Sequence, residues 1–540
     1  MSDAALDLRQ PSVGDGRPPA LPLHLSGERL LDLARRATLD PEGPVGEMLA
    51  VKAPFSGEVV ARIPAATPQD VRYAFERARE AQRRWADRPF HERARVLVRL
   101  HDLVLERKDE AIDLIQLEGG KARKDAFEEV LDVAMVARYY AYHGEGAVDR
   151  EPRRGLLPAL TRVEVNHLPK GVVGVIAPWN YPLTMAITDA LPALLAGNAV
   201  VVKPSEITPF SALLAADWLH AAGLPRDLLH VLPGDGPTLG PALMDEADFV
   251  HFTGSTATGR IIAKAAAERL IGCSLELGGK NAMVVLDDAD LDAAVEGAIR
   301  GTFSNAGQLC ISIERLYVQR GIFREFADRL ADRASEIRME AGYAWDVEMG
   351  SLVSQEQLNK VTAHVDDAIA KGATVLAGGA PRPDVGPLFF APTVLEGVTP
   401  DMDLAREETF GPVVSLYPFD SDAEAVRLAN DSEYGLNASV WSRNASRARH
   451  LARQLRAGTV NVNEAYAAAW ASTDAPMGGM KASGLGRRHG PEGIRKYTET
   501  QTVAEQRLVP LAPLPGMAVE AFAKTLLTGL RIVRKLPGLR

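Results

Sequence analysis

Cysteine is nearly absent from this 540-residue chain, which holds only Cys273 and Cys310. Two thiols cannot build a disulfide framework, and no charged-then-apolar leader opens the sequence, so a reducing, cytoplasmic setting is expected. Positive charge is also in short supply. Lys and Arg number 61 against 71 Asp and Glu, a formal net charge of −10. A nucleic-acid surface, which needs clustered Lys and Arg on one face, is therefore not expected. The Gly-x-Gly-x-x-Gly fingerprint of dinucleotide sites is missing as well: Gly234-Asp-Gly236 and Gly484-Leu-Gly486 come nearest, and neither completes it. With 46% hydrophobic and 24% charged residues, the composition is that of a soluble globular protein. Small molecules are the expected partners.

A chain of this length exceeds what one core usually supports, so at least two domains are expected. Residues 1–24 hold Pro11, Gly14, Gly16, Pro18, Pro19 and Pro22 with little apolar periodicity, and read as a disordered arm. Helical spacing follows from about Pro68 to Tyr142, as in Val71, Phe75 and Ala78. Short β-rich runs at 171–176, 199–202, 228–232 and 248–252 then alternate with helix-length segments. This alternation predicts a parallel sheet wrapped by helices, the form of a nucleotide-binding domain. A second alternation, through 283–286, 315–318, 413–416, 438–441 and 459–462, predicts another α/β domain. The expected division is 25–150 with 169–278 for the cofactor domain and 279–479 for the second. Residues 161–167 alternate strictly and 496–503 nearly so; 151–168 and 480–505 read as exposed paired strands that meet another subunit. In the tail, 506–540, Val519, Phe522, Leu526, Leu527, Leu530 and Val533 fall at helical spacing, with Lys524, Arg531, Arg534 and Lys535 among them. A basic amphipathic helix of this kind docks on a neighbouring subunit or domain, or makes peripheral contact with an anionic membrane.

Four local patterns can carry chemistry. Residues 248–252 run into Thr253-Gly-Ser-Thr-Ala-Thr-Gly259 and a helical pattern. A Gly turn opening a helix offers free N–H groups to a pyrophosphate, with Gly254 allowing close approach and Ser255 adding a hydroxyl; the plain alternative is a helix cap. Cys310 lies in a Gly-containing loop before an alternating run, where a thiolate can attack a carbonyl. An inert buried thiol is the alternative, and Cys273 suits it better. Glu276 stands between leucines before Gly278-Gly279, where desolvation would raise its pKa toward that of a general base. Its alternative is a surface pair with Lys280. Asn180, between Pro178 and Pro182, has a restrained backbone and an amide that can be aimed at an oxyanion, or it is simply a turn residue.

Taken in order, these segments resemble the aldehyde dehydrogenase superfamily from about residue 50 to 505. The motifs are Pro178-Trp-Asn-Tyr-Pro182, Lys203-Pro-Ser-Glu206, Phe252-Thr-Gly-Ser255, Glu276-Leu-Gly-Gly-Lys280, Gly307-Gln-Leu-Cys310, Glu407-Glu-Thr-Phe-Gly-Pro412 and Pro476-Met-Gly-Gly-Met-Lys-Ala-Ser-Gly484. The resemblance implies an α/β, aldehyde dehydrogenase-like fold: a Rossmann-like cofactor domain, a second α/β catalytic domain and a β oligomerisation element, assembled as a homodimer or homotetramer. It implies NAD(P)-dependent oxidation of a small-molecule aldehyde. Cys310 would be the nucleophile, Asn180 and the Cys310 N–H would hold the oxyanion, and Glu276 would activate water on the thioester. Lys203, Ser205 and Glu206 would belong to the cofactor site, the first and last on the adenosine ribose. Gly254 and Ser255 would meet the pyrophosphate, Glu408 the nicotinamide ribose and Phe410 the ring, with Trp179 on the pocket wall and no metal. A carboxylate at 206 accepts from a ribose 2′-hydroxyl and repels a 2′-phosphate, which favours NAD over NADP.

Within the superfamily, residues 305–315 and 476–490 most resemble a branch labelled succinate-semialdehyde dehydrogenase. Better-understood enzymes of that kind carry arginines for the distal carboxylate where this chain has Ser304 and Thr188, and only Ser472 keeps a matching hydroxyl. Hydroxyls hold a carboxylate far less well than arginine does. Met477, Tyr181, Trp470 and the alanines around Tyr466 suit an apolar or aromatic aldehyde instead. Retention of Cys310, Glu276 and Asn180 together argues against a CoA-acylating enzyme or a non-catalytic relative.

Overall fold

The computed structural model describes residues 12–13, 21–155, 161–507 and 510–535. They fall into two units, one of residues 1–147 with 169–498 and one of 148–168 with 499–540.

The first unit opens with the antiparallel strands Met48–Lys52 and Val59–Pro64, followed by helices Pro68–Ala86, Phe90–Glu106, Lys108–Gly119 and Arg123–Val148. Thr67 and Asp70 start the first of these helices as a reciprocal capping box, with Pro68 in its first turn. The arm expected to be disordered is in part placed. Ser12–Val13 pairs antiparallel with Arg62 and Ala61, extending a sheet edge whose main-chain groups would otherwise lack partners. His24 donates its N–H to buried Asp113 at 3.0 Å. The rest of 1–20 lies outside the described residues.

Both anticipated sheets form. The first has six strands in the order Gly484–Leu485, Gly272–Glu276, Phe249–Thr253, Val172–Ile176, Ala199–Lys203, Leu229–Val231, all parallel except the first. Strand order reverses between Val172–Ile176 and Phe249–Thr253, and ligands of such sheets gather beyond the strand ends at that reversal. The second sheet has seven strands in the order Thr374–Ala377, Thr393–Glu396, Val413–Phe419, Ile313–Gln319, Asn281–Val285, Asn437–Trp441, Thr459–Val462, again with only the first antiparallel. Its interior strand Asn281–Val285 is apolar on both faces: Met283 and Val285 enter one buried cluster, Ala282 and Val284 another. This is why the parallel strands read as apolar runs. Residues 277–280 connect the two sheets, and both sheets lie in the first unit.

The range expected to form exposed paired strands, 480–505, begins too early. Gly484–Leu485 pairs with Gly272–Glu276, residues Gly490–Arg495 form a helix, and Tyr497 is fully buried. Only Thr498–Gln506 joins Thr161–Pro169 and Glu151–Arg154 in a three-stranded sheet. Weak alternation over 496–503 concealed this change of surroundings. In the tail, Val519–Val533 is a helix with no buried residue, and 508–509 and 536–540 are not described. Among the described residues no helix is long and apolar enough to cross a membrane.

Candidate active site

A cleft of about 200 Å³ opens beyond the strand ends, lined by Trp179, Asn180, Met185, Gly254, Ser255, Glu276, Cys310, Glu408 and Phe410 among others. Glu276 is the last residue of its strand, and Asn180 and Ser255 follow within four residues of theirs. Three separate segments thus converge on one thiol.

The loop that presents Cys310 is unusual. Asn305, Ala306 and Gly307 all take left-handed backbone angles, φ +50°, +52° and +71°. Such a run is costly for residues with side chains, and backbone strain of this kind collects at functional sites. At Gly307 a Cβ would lie 2.0 Å from the Gly411 carbonyl oxygen, so glycine is required there. Amide side chains hold the loop. Asn305 Nδ2 donates to the Asn180 and Gln308 carbonyls at 3.1 Å each, Gln308 Oε1 accepts the Val353 N–H at 2.9 Å, and Asn281 Nδ2 donates to the Cys310 carbonyl at 2.8 Å.

Asn180 is buried, and its Nδ2 donates to the Gln308 carbonyl at 3.0 Å. An amide NH₂ has two hydrogens. One orients the group against the thiol loop, and an amide so held can present the other to a ligand in the cleft.

Glu276 does not pair with Lys280. Lys280 forms a buried ion pair with Glu314, whereas Glu276 is 6% exposed and its Oε1 has no hydrogen-bond partner. Burial, opposed by the charges of Arg488 and Lys496, lifts its pKa to about 7. Cys310 is pushed up to about 12, first by burial and then by the negative charges of Glu408 and Glu276. At neutral pH the resting thiol is therefore protonated, and a carboxylate titrating near 7 in the same cleft is a suitable proton acceptor.

The cofactor side is built likewise. Ser255 caps the helix Thr256–Arg269, its Oγ accepting the Thr258 N–H at 3.2 Å, which leaves the helix N-terminus facing the cleft. Glu408 accepts the Gly279 N–H at 2.7 Å and closes over a glycine, since a Cβ on Gly278 would lie 2.5 Å from its Oε2. Phe410, at φ +57°, meets Trp179 edge-on with ring centroids 5.5 Å apart. A helix N-terminus, a carboxylate over a glycine pair and an aromatic wall fit the pyrophosphate, ribose and ring of a nicotinamide dinucleotide. Lys203, Ser205 and Glu206 stand apart from this cleft. Lys203 is buried with its Nζ donating to the Pro204 and Gly234 carbonyls at 2.7 and 2.8 Å, and Ser205 Oγ accepts the Ile207 N–H at 3.2 Å. Glu206 lies 3.6 Å from Lys203 Nζ and opens to a second hollow, shared with Leu49, Pro54 and Leu388.

Several residues that position the site were not apparent from sequence. Glu314 accepts the main-chain N–H groups of Thr409 and Phe410, both at 3.0 Å, and so fixes the loop carrying Glu408. Lys121 and Glu129, both buried, bond each other, the Asn180 carbonyl and the N–H groups of Leu183 and Thr184. Arg488, adjacent to the last matched motif, reaches Thr188. Of the residues expected to shape a substrate pocket, Ser304 and Tyr466 share a hydroxyl contact of 3.2 Å, and the phenols of Tyr466 and Tyr181 donate to Glu128 at 2.9 and 3.4 Å. These tyrosines are therefore tied to a carboxylate by their polar ends. Among the described residues no His, Cys, Asp and Glu group is placed to hold a metal ion.

The Aldehyde dehydrogenase family profile matches residues 42–503. A Mycolicibacterium smegmatis protein provisionally named succinate-semialdehyde dehydrogenase [NADP(+)] is 54% identical over 484 residues, 90% of this chain and 94% of its own. A rice protein named mitochondrial succinate-semialdehyde dehydrogenase is 36% identical over 85% of this chain and 86% of its own. Among solved structures, Staphylococcus aureus betaine aldehyde dehydrogenase in complex with NAD+ superposes with a TM-score of 0.83 at 34% identity, covering 89% of this chain and 97% of that one.

Proposed function

The chain belongs to the aldehyde dehydrogenase family and oxidises an aldehyde to a carboxylic acid with a nicotinamide dinucleotide, and on that premise we propose succinate semialdehyde as its substrate and Cys310 as its nucleophile. The observation that carries the nucleophile is the convergence of Cys310, Asn180 and Glu276 on one cleft.

Glu276 takes the thiol proton and the sulfur adds to the aldehyde carbon, moving the carbonyl electron pair onto oxygen. The free N–H of Asn180 and the Cys310 N–H hold that oxyanion, each donor contributing about 3 kcal/mol in sites of this kind. Ser255, Glu408 and Phe410 would hold the dinucleotide, which would supply the acceptor for the hydride that leaves the adduct carbon as the carbonyl re-forms, giving an acyl thioester on Cys310. Glu276, once the thiol proton has passed to solvent, removes a proton from water as it attacks the thioester; the carbon–sulfur bond breaks, that proton returns to the Cys310 sulfur and the carboxylic acid leaves. Its buried, unpaired carboxylate favours hydrolysis over transfer of the acyl group to CoA.

Relatives named for succinate semialdehyde support that substrate. Thr188 and Ser304, which replace the expected arginines, together with Met477 and Trp470, favour the second reading, an apolar or aromatic aldehyde. The cofactor reading is NAD, from the Glu206 carboxylate, although the 54% relative carries NADP(+) in its name. The proposal extends to a cytoplasmic homodimer or homotetramer joined through the three-stranded sheet. The exposed helix Val519–Val533 docks on a neighbouring subunit, and its cations allow peripheral contact with an anionic membrane.

Cofactor reduction measured with NAD and with NADP across succinate semialdehyde, butanal, octanal and benzaldehyde tests these readings. The proposal expects the highest kcat/KM for succinate semialdehyde with NAD. A preference for octanal or benzaldehyde would replace the substrate, and a preference for NADP would replace the cofactor.

A further inference from the structure

Arg488 is an arginine inside the core. It is 6% exposed, and its main chain exchanges two 2.8 Å hydrogen bonds with Met477. The residue after Met477 is Gly478, where a Cβ would come within 3.0 Å of Glu276 Oε1. The arginine is thus anchored to the segment that borders the carboxylate. Its guanidinium donates through Nη2 to Thr188 Oγ1 at 2.5 Å and pairs with Asp189 Oδ2 at 3.1 Å, while Nη1 lies 3.5 Å from the sulfur of cleft-lining Met185. Nε has no partner. Asp189 is held in turn by Lys496 at 2.9 Å and His251 at 3.2 Å.

We propose that Arg488 is a positioning residue, whose guanidinium, pinned by Asp189 and Thr188, is the fixed countercharge against which Glu276 and Cys310 become anionic during turnover. The inference rests on the thioester chemistry above. Two cations, Arg488 and Lys496, stand with the carboxylates Asp189 and Asp132 behind the cleft wall that carries Glu276. The charges facing Glu276 are those of Arg488, Lys496, Asp189 and Arg487; those facing Cys310 are Glu408, Glu276 and Arg488. Asp132 also acts on Arg488. Arg488 is the leading charge that offsets burial at Glu276, and it opposes the two carboxylates at Cys310. Removing an opposite charge raises an acid's pKa by about one unit or more, and each unit lowers the thiolate fraction tenfold.

The test is the rate of Cys310 alkylation by iodoacetamide at pH 9, read by mass spectrometry on full-length enzyme without aldehyde. Arg488→Gln keeps a donor for Thr188 but no charge, and is expected to slow alkylation about tenfold. Arg488→Lys restores the charge and should stay within about threefold of the parent rate. Asp189→Asn strips Arg488 of its counter-ion and should accelerate alkylation. Opposite signs for Arg488→Gln and Asp189→Asn are what a loss of packing would not produce. Should Arg488→Gln fail to fold, the Asp189→Asn rate decides. A rate equal to the parent in folded Arg488→Gln, or a slower one in Asp189→Asn, overturns the proposal. Because no aldehyde is present, a wrong substrate or mechanism leaves this readout intact.

Discussion

The Lys121 ammonium donates to the main-chain carbonyl of Asn180 at 2.7 Å while it holds Glu129 at 2.6 Å, and neither ion reaches solvent. Glu129 spends its other oxygen on the N–H groups of Leu183 and Thr184. One buried ion pair therefore fixes both the residue that faces the oxyanion and the first turn of the helix behind it.

Breaking the pair from one side leaves an uncompensated charge. Lys121→Met should cost about 3–5 kcal/mol of stability, and Lys121→Met with Glu129→Gln should recover part of that loss. Unfolding in urea measures both. A single variant as stable as the parent would show that the pair does not organise the site.

Gly307→Ala meets two obstacles, a left-handed backbone and an overlap with the Gly411 carbonyl at 2.0 Å. The expected penalty is about 2–4 kcal/mol, with displacement of the Cys310 loop and loss of aldehyde oxidation. Ala at Gly236, which has nothing within 4 Å, is the control. A Gly307→Ala enzyme with parent activity would contradict the loop geometry.

Glu276 acts as a base only when ionised, and burial raises its pKa to about 7. Deacylation should therefore increase with pH through about 7 and level off above it. Glu276→Gln should slow deacylation most, flatten that dependence and slow the first turnover of cofactor reduction to a smaller extent. Stopped-flow absorbance separates the two phases; a first turnover slowed more than deacylation would contradict Glu276 as the base that serves hydrolysis.

The strand runs and the chemical residues were legible because each depends on local pattern. Apolar runs such as 199–202 become strands buried on both faces, and Glu276 between leucines is desolvated as its neighbours suggest. The supports were not legible, because their partners are remote in the chain. Glu314 and Thr409 are separated by 95 positions, Thr188 and Arg488 by 300, and no spacing rule reports such pairs. The same limit hid the pairing of Ser12–Val13 with Val59–Pro64, and it set the oligomerisation strand too early, since burial of Tyr497 depends on contacts made by the fold. Lys280 illustrates the reverse error: Glu276 is near in sequence, yet its ion pair is with Glu314.

The measurement closest to the central claim is cofactor reduction by Cys310→Ala with succinate semialdehyde, beside cofactor affinity measured on the same protein by fluorescence titration. The account predicts no detectable turnover and an affinity within about threefold of the parent, because the thiol contributes to chemistry and not to the cofactor cradle. Appreciable turnover by the alanine enzyme would contradict Cys310 as the nucleophile.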